Sequence, residues 1–130
     1  MSNQELNQIK ILLAEDNPDW HGAVKDVVTE IGATLITTTS FEQAAKLLMT
    51  GVYDIAILDG SLKRKKGRIA GEHNQDAKEL IKLIKEKKLK TKTIGFGGTA
   101  IVEADEDVGK DHYDLLAAAI MTLLIKIGAA

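Results

Sequence analysis

The chain has 130 residues, enough for one domain, and 17 basic against 19 acidic residues give it a formal charge of −2. It contains no cysteine, which excludes a disulfide framework, a thiolate metal site and a cysteine nucleophile. Residues 1–8 show no signal-peptide pattern and no apolar run has the length of a membrane span, so a single cytoplasmic domain over 1–130 is expected.

Lys10-Ile11-Leu12-Leu13-Ala14 is an apolar run of strand length that ends in Glu15-Asp16. Asn17 suits a helix N-cap and Pro18 the first helical position. Trp20, Val24, Val27, Val28 and Ile31 follow at helical spacing, and Gly32 supplies the stop. Residues 35–38 read as a β-branched strand. Ser40 and Gln43 form a capping-box pattern ahead of a helix that buries Phe41, Ala44, Ala45 and Leu48 and ends at Gly51. Residues 54–59, Asp-Ile-Ala-Ile-Leu-Asp, are a short unalternating run, the pattern of a strand buried on both faces. Residues 60–74 lack apolar periodicity and read as a solvated loop. A helix resumes with Ala77, Leu80, Ile81 and Ile84 on one face. Residues 93–96 look like a fourth strand running into Gly97-Gly98-Thr99. Val108-Gly109-Lys110 is at best a short fifth strand, and the segment before it is too short for a full helix. Tyr113, Leu116, Ala117, Ile120, Leu124 and Ile127 close the chain as a helix. Such alternation predicts an α/β fold: a doubly wound, five-stranded parallel sheet of flavodoxin-like order 2-1-3-4-5, with a shortened or irregular fourth helix.

In that order the first and third strands are neighbours, and ligands collect beyond their carboxyl ends. Glu15, Asp16 and Asp59 would then converge in one crevice and repel one another. A divalent cation resolves the repulsion, and a few oxygen ligands in a partly open site point to Mg²⁺. Lys110, at the end of the fifth strand, is the natural cationic partner. Taken alone, Asp59-Gly60 also reads as the start of an ordinary turn, and Lys110 as a surface lysine. The ordered set of acids and lysine at successive strand ends says more than any member.

Ile-Leu-Leu-Ala-Glu15-Asp16-Asn17-Pro18, then Asp54-Ile-Ala-Ile-Leu-Asp59, then Lys110 together resemble the receiver domain of two-component response regulators, over residues 9–127. The resemblance implies that Asp59 accepts a phosphoryl group from a phosphohistidine and that Asp16 binds Mg²⁺ directly. It implies that Glu15 acts through a metal-bound water, that the backbone carbonyl of Ser61 completes the protein ligands, and that Lys110 bridges to the phosphoryl oxygen. The partner would be a histidine kinase or a histidine phosphotransfer protein, in a cytoplasmic phosphorelay. No enzyme activity beyond self-phosphorylation and autodephosphorylation at the aspartate is expected. An aspartate is a competent nucleophile for such an intermediate, with positioning and charge neutralisation doing most of the catalysis.

The sequence departs from the family in several places. The serine or threonine expected after the fourth strand is Gly97, and only Thr99 is near enough to substitute. The aromatic residue three positions before the lysine is Asp107, and the proline after it is Asp111. These departures leave open a second reading, a receiver-like module that signals by binding without phosphorylation. A flavodoxin-type cofactor domain fits less well, because Glu-Asp-Asn-Pro is no phosphate cradle, and no P-loop follows Gly95.

Charge is unevenly spread: residues 63–92 hold 12 basic and four acidic residues, a balance of +8 that leaves −10 elsewhere. With no aromatic residue interleaved for stacking, this region reads as a solvated helix face and loop rather than a nucleic-acid site. His21, His73 and His112 are scattered and read as surface residues. Trp20, four residues after Asp16, is expected near the mouth of the crevice. A second apolar stripe on the last helix, Ala118, Met121 and Ile125, reads as a contact for a second copy of the chain, or else as packing against residues 100–107.

Overall fold

Four aliphatic residues in β1 (Lys10–Ala14) and four in β3 (Ile55–Leu58) are wholly buried, as two-sided central strands must be. The computed structural model describes residues 8–62 and 74–129. The basic run 63–68, His73 and most of the expected 60–74 loop lie outside the described residues. The elements follow as β1, α1 (Pro18–Ile31), β2 (Thr34–Thr38), α2 (Phe41–Thr50), β3, α3 (Gln75–Glu86), β4 (Lys92–Gly95), β5 (Glu106–Asp107), a 3₁₀ segment (Lys110–Leu115) and α4 (Leu116–Lys126). All strand pairs are parallel, in the order β2-β1-β3-β4-β5. The expected sheet is therefore present.

Alternate residues of each strand serve opposite layers. Ile11 and Leu13, with Ile55, Ile57, Ile94 and Phe96, pack against Val24 and Val28 of α1 and Leu116, Ile120 and Leu124 of α4. Leu12, Ala14, Ala56 and Leu58 meet Ala44 and Leu48 of α2 and Ala77, Leu80, Ile81 and Ile84 of α3 on the other face. Each fully buried valine, leucine or isoleucine among them is worth about 1.5–3 kcal/mol. The capping signals hold: Asn17 accepts from Asp19 N–H, Ser40 accepts from Gln43 N–H, and Gly32 closes α1 in the left-handed region at φ 93°.

Three details refine the expectation. Of the expected shortened or irregular fourth helix, the irregular form is found: no helix forms among residues 96–105. Ile101 plugs the second core layer in its place and is fully buried. Two aspartates fasten the connection: Asp105 Oδ2 accepts from Thr93 N–H at 2.8 Å, and Asp107 Oδ1 from Ile101 N–H at 3.0 Å. Gly95 makes room, since a Cβ there would lie 2.7 Å from Ile101 Cβ.

The fifth strand is Glu106–Asp107, two residues earlier than Val108-Gly109-Lys110. Its backbone bonding nonetheless runs on, through Val108 N–H to Gly95 O (2.8 Å) and Lys110 N–H to Gly97 O (3.0 Å).

The last helix starts at Leu116, with Tyr113 in the 3₁₀ segment, where His112 breaks helical geometry (φ −120°, ψ 36°). Tyr113 is held there by its hydroxyl, which donates to Ala23 O at 2.7 Å. Leu116, Ile120 and Leu124 of the expected stripe are buried, joined by Ala119 and Leu123, with Tyr113 and Ile127 packed against the core; Ala117 alone is exposed. Of the second stripe, Ala118 and Ile125 are exposed, whereas Met121 packs partly against the core.

Candidate phosphoacceptor and metal site

Parallel pairing carries the ends of β1 and β3 side by side. Glu15 N–H continues the ladder to Thr38 O (3.0 Å), and Asp59 N–H donates to Ala14 O (2.9 Å). Each carboxylate therefore leaves the sheet at its carboxyl edge, the place where open α/β folds bind ligands. Ligand oxygens of Glu15, Asp16 and Asp59 all come within 4.8 Å of one another.

The three acids differ in their surroundings. Glu15 is fully buried and both oxygens are engaged: Oε2 accepts from Asn17 N–H at 3.0 Å, and Oε1 lies 2.6 Å from Lys110 Nζ. Asp16 is half-buried and opens toward water. Asp59 is buried, with Oδ1 3.4 Å from Lys110 Nζ. Burial first, and then the charge of Glu15, push the Asp59 carboxyl up from 3.8 to about 7, although Lys110 pulls the other way.

Lys110 is placed by its backbone bond to Gly97 O and by two rings. Its ammonium lies 5.8 Å from the Trp20 ring centre and 5.9 Å from that of Phe96. Burial alone would lower its pKa, but the hydrogen bond to Glu15 and the charges of Asp59 and Glu15 outweigh that and raise it. Trp20 meets Phe96 edge-on at 5.1 Å and Tyr113 at 5.6 Å, so the expected position beside the crevice is occupied.

The donor set fits a hard divalent cation. With all three acids ionised, three carboxylates against one ammonium leave two formal negative charges within reach of oxygen-only ligands.

The other expected residues sit differently. Ser61 is exposed directly beyond the acceptor turn, and its neighbours are anchored: Gly60 O accepts from Asp76 N–H, and Leu62 N–H donates to Asp76 Oδ2 at 2.6 Å. Thr99 is exposed and accepts from Asn74 Nδ2 at 3.1 Å; no described hydrogen bond joins it to the carboxylates. Sequence reasoning missed Asp76, Asn74 and His21. His21 is no plain surface histidine, because its Nε2 donates to Glu15 O at 2.6 Å and ties α1 to the end of β1. Its place one helical turn after Asn17 was the available signal. For Asp76 the hint was an acidic residue in the first turn of a helix.

No protein-family model matches the sequence, and neither does any curated protein. Solved structures do match. The chain is similar to the response regulator TrrA from Thermotoga maritima crystallised with Mg²⁺-BeF, at 26% identity and a TM-score of 0.73, over 90% of this chain and 100% of that one. Its fold is that of response-regulator receiver domains. A second structure, the histidine kinase ThkA in complex with TrrA, matches at 27% identity and a TM-score of 0.67, over 90% and 99% of the two chains. The signal receiver domain of a Luxo repressor protein from Vibrio parahaemolyticus shares the fold at 15% identity, with a TM-score of 0.75 and 92% of each chain covered. No helix among the described residues is long and apolar enough to cross a membrane.

Proposed function

We propose that Asp59 accepts a phosphoryl group from a phosphohistidine of a histidine kinase or histidine phosphotransfer protein, with Mg²⁺, in a cytoplasmic phosphorelay. The observation that carries this reading is the buried Asp59 carboxylate, grouped with two further acids and one lysine at the carboxyl edge of the sheet. In the transfer, an Asp59 carboxylate oxygen attacks phosphorus. The P–N bond breaks, and the departing imidazole keeps the electron pair and takes up a proton. Lys110 neutralises charge gathering beside Asp59.

Asp16, Asp59 and the Ser61 carbonyl are the protein groups that would hold the metal. Glu15, with both oxygens already engaged, would act one layer out, through a water. When bound, Mg²⁺ supplies Lewis-acid neutralisation of the transferring group and lowers the proton affinity of Asp59. The support from similar proteins is that TrrA, at 26–27% identity, was crystallised with Mg²⁺-BeF and with a histidine kinase.

A second reading, a receiver-like module that binds without phosphorylation, is favoured by Gly97, which has no hydroxyl, and by Asp107, whose side chain is committed to Ile101 N–H. Incubation with Mg²⁺ and acetyl phosphate separates the two readings by intact mass. One phosphoryl adduct on the wild type and none on Asp59→Asn is the expected result. A folded wild type without an adduct supports the binding module.

A further inference from the structure

Asn74 stands at the N-cap position of α3 in the left-handed region (φ 63°, ψ 22°), a conformation asparagine tolerates better than most residues. An asparagine there would ordinarily cap the helix, yet its side chain makes no capping hydrogen bond. Its carboxamide goes to the connection after β4 instead. Nδ2 donates to Ala100 O at 2.9 Å and to Thr99 Oγ1 at 3.1 Å, and the carbonyl acceptor fixes which end of the amide is nitrogen. Oδ1 faces two glycines. A Cβ on Gly60 would collide with it, and a Cβ on Gly97 would lie 3.4 Å away. Gly60 directly follows Asp59, and Gly97 O accepts the backbone N–H of Lys110 (3.0 Å). One carboxamide thus touches the turn of the acceptor, the backbone that seats the lysine, and the connection that replaces the missing helix.

We propose that Asn74 is a positioning residue that couples the state of Asp59 to the β4–β5 connection, a role that rests on Asp59 being the acceptor. In the unmodified protein both Nδ2 protons hold residues 99 and 100. A phosphoryl group on Asp59 adds about 1.5–2 negative charges and three strong acceptors next to the turn that Asn74 Oδ1 abuts. Those charges repel the carboxamide oxygen and attract its nitrogen, and a charged acceptor makes the stronger hydrogen bond. Turning the amide toward the phosphoryl group withdraws both donors from Thr99 and Ala100. The connection then rests on the Asp105 and Asp107 anchors, the buried Ile101 and the Gly97 O bond to Lys110 N–H, and loosens at residues 98–100, where Asn74 had held it. Val102, already 81% exposed, makes this segment a surface a partner can read.

Hydrogen exchange of residues 97–102 tests the coupling, in the full chain with and without acetyl phosphate and Mg²⁺, with the adduct measured by intact mass in the same sample. Exchange in the wild type should rise about tenfold on phosphorylation, the factor that corresponds to losing about 1.4 kcal/mol of local hydrogen bonding. Asn74→Gly keeps the left-handed backbone and deletes the carboxamide, so its exchange should be fast from the start and indifferent to the adduct. Asn74→Asp keeps the shape without the donors and should behave like the glycine variant. A wild-type adduct with unchanged exchange overturns the coupling and leaves the acceptor reading standing, as does an Asn74→Gly variant that responds like wild type. A folded wild type that forms no adduct overturns both.

Discussion

Replacing Asp59 by asparagine should stabilise the metal-free protein at alkaline pH, because the wild type buries a carboxylate whose pKa is raised from 3.8 to about 7. A folded-state pKa above the unfolded value means that the folded form holds the extra proton between about pH 4 and 7. Stability conferred by that proton is complete below about pH 4 and is lost as pH climbs through 7. Between pH 5 and 8 the loss spans about two pKa units, a ceiling of roughly 3 kcal/mol. Solvent reaching the crevice beside Asp16 and the lost attraction to Lys110 cut this to about 1.5 kcal/mol. For 130 residues, with an unfolding entropy of about 0.27 kcal/mol/K, that is roughly 5 °C in Tm. Thermal unfolding in EDTA at pH 5 and pH 8 checks it. The gap between Asp59→Asn and wild type should widen in the variant's favour by about 5 °C at the higher pH, and Mg²⁺ should raise the wild type more than the variant. Parallel Tm profiles for the two proteins would refute the reasoning, because Asp59 would then ionise in the folded state as easily as in water.

Mg²⁺ should change the fluorescence of Trp20, whose ring lies 5.8 Å from Lys110 Nζ, and Asp16→Ala should abolish the change; an unaltered titration in the variant places the metal elsewhere. Gly95→Ala should lower stability by about 1–3 kcal/mol in urea unfolding, since its Cβ would fall 2.5 Å from Asp107 Oδ1 and 2.7 Å from Ile101 Cβ. A homodimer through α4 would use the exposed apolar side formed by Ala118 and Ile125, the latter at 62% exposure, with Leu115 of the preceding 3₁₀ segment at 52%. Sedimentation over a concentration series should then show a dimer that Ile125→Lys dissociates, and a strictly monomeric wild type removes the idea.

The parts of the molecule legible in the sequence are those fixed by local rules. Unbroken aliphatic runs at 11–14 and 55–58 announce strands covered on both faces, and the acids that end them fall at the carboxyl edge because the chain can place them nowhere else. Asn17, Pro18 and Gly32 bound α1 through backbone chemistry that needs no tertiary partner. β5 was harder, because a two-residue edge strand contributes only backbone groups, so Glu106 and Asp107 carry no apolar signature. The stripe on the last helix is legible except at Ala117, which turns outward: Leu116, Ile120 and Leu124 are buried, Ile127 packs against the core, and Tyr113, ahead of the α-helix, is pinned to Ala23.

The acceptor's surroundings were hardest to read, because they depend on what side chains leave out. Gly60 and Gly97 suggest turns in the sequence, and neither adopts the positive φ that would demand glycine. Their shared property is the missing Cβ, and its consequence appears only once residue 74 is brought across from the far end of a loop. The same holds for Gly97 and Asp107, where the sequence resemblance leads one to expect a hydroxyl residue and an aromatic ring. Gly97 in place of a hydroxyl residue opens the space next to Asn74 Oδ1, and Asp107 in place of an aromatic ring supplies the acceptor for Ile101 N–H. Read singly, each looks like a lost function. Together with Gly95 and Ile101 they form one packed arrangement, in which a helix is replaced by a plug, two aspartate anchors and an asparagine tie. A ring at position 107 would remove the acceptor for Ile101 N–H. Gly97 and Asp107 therefore belong to one arrangement, and placing an aromatic ring at 107 alone should destabilise the domain, because Ile101 N–H would lose its acceptor.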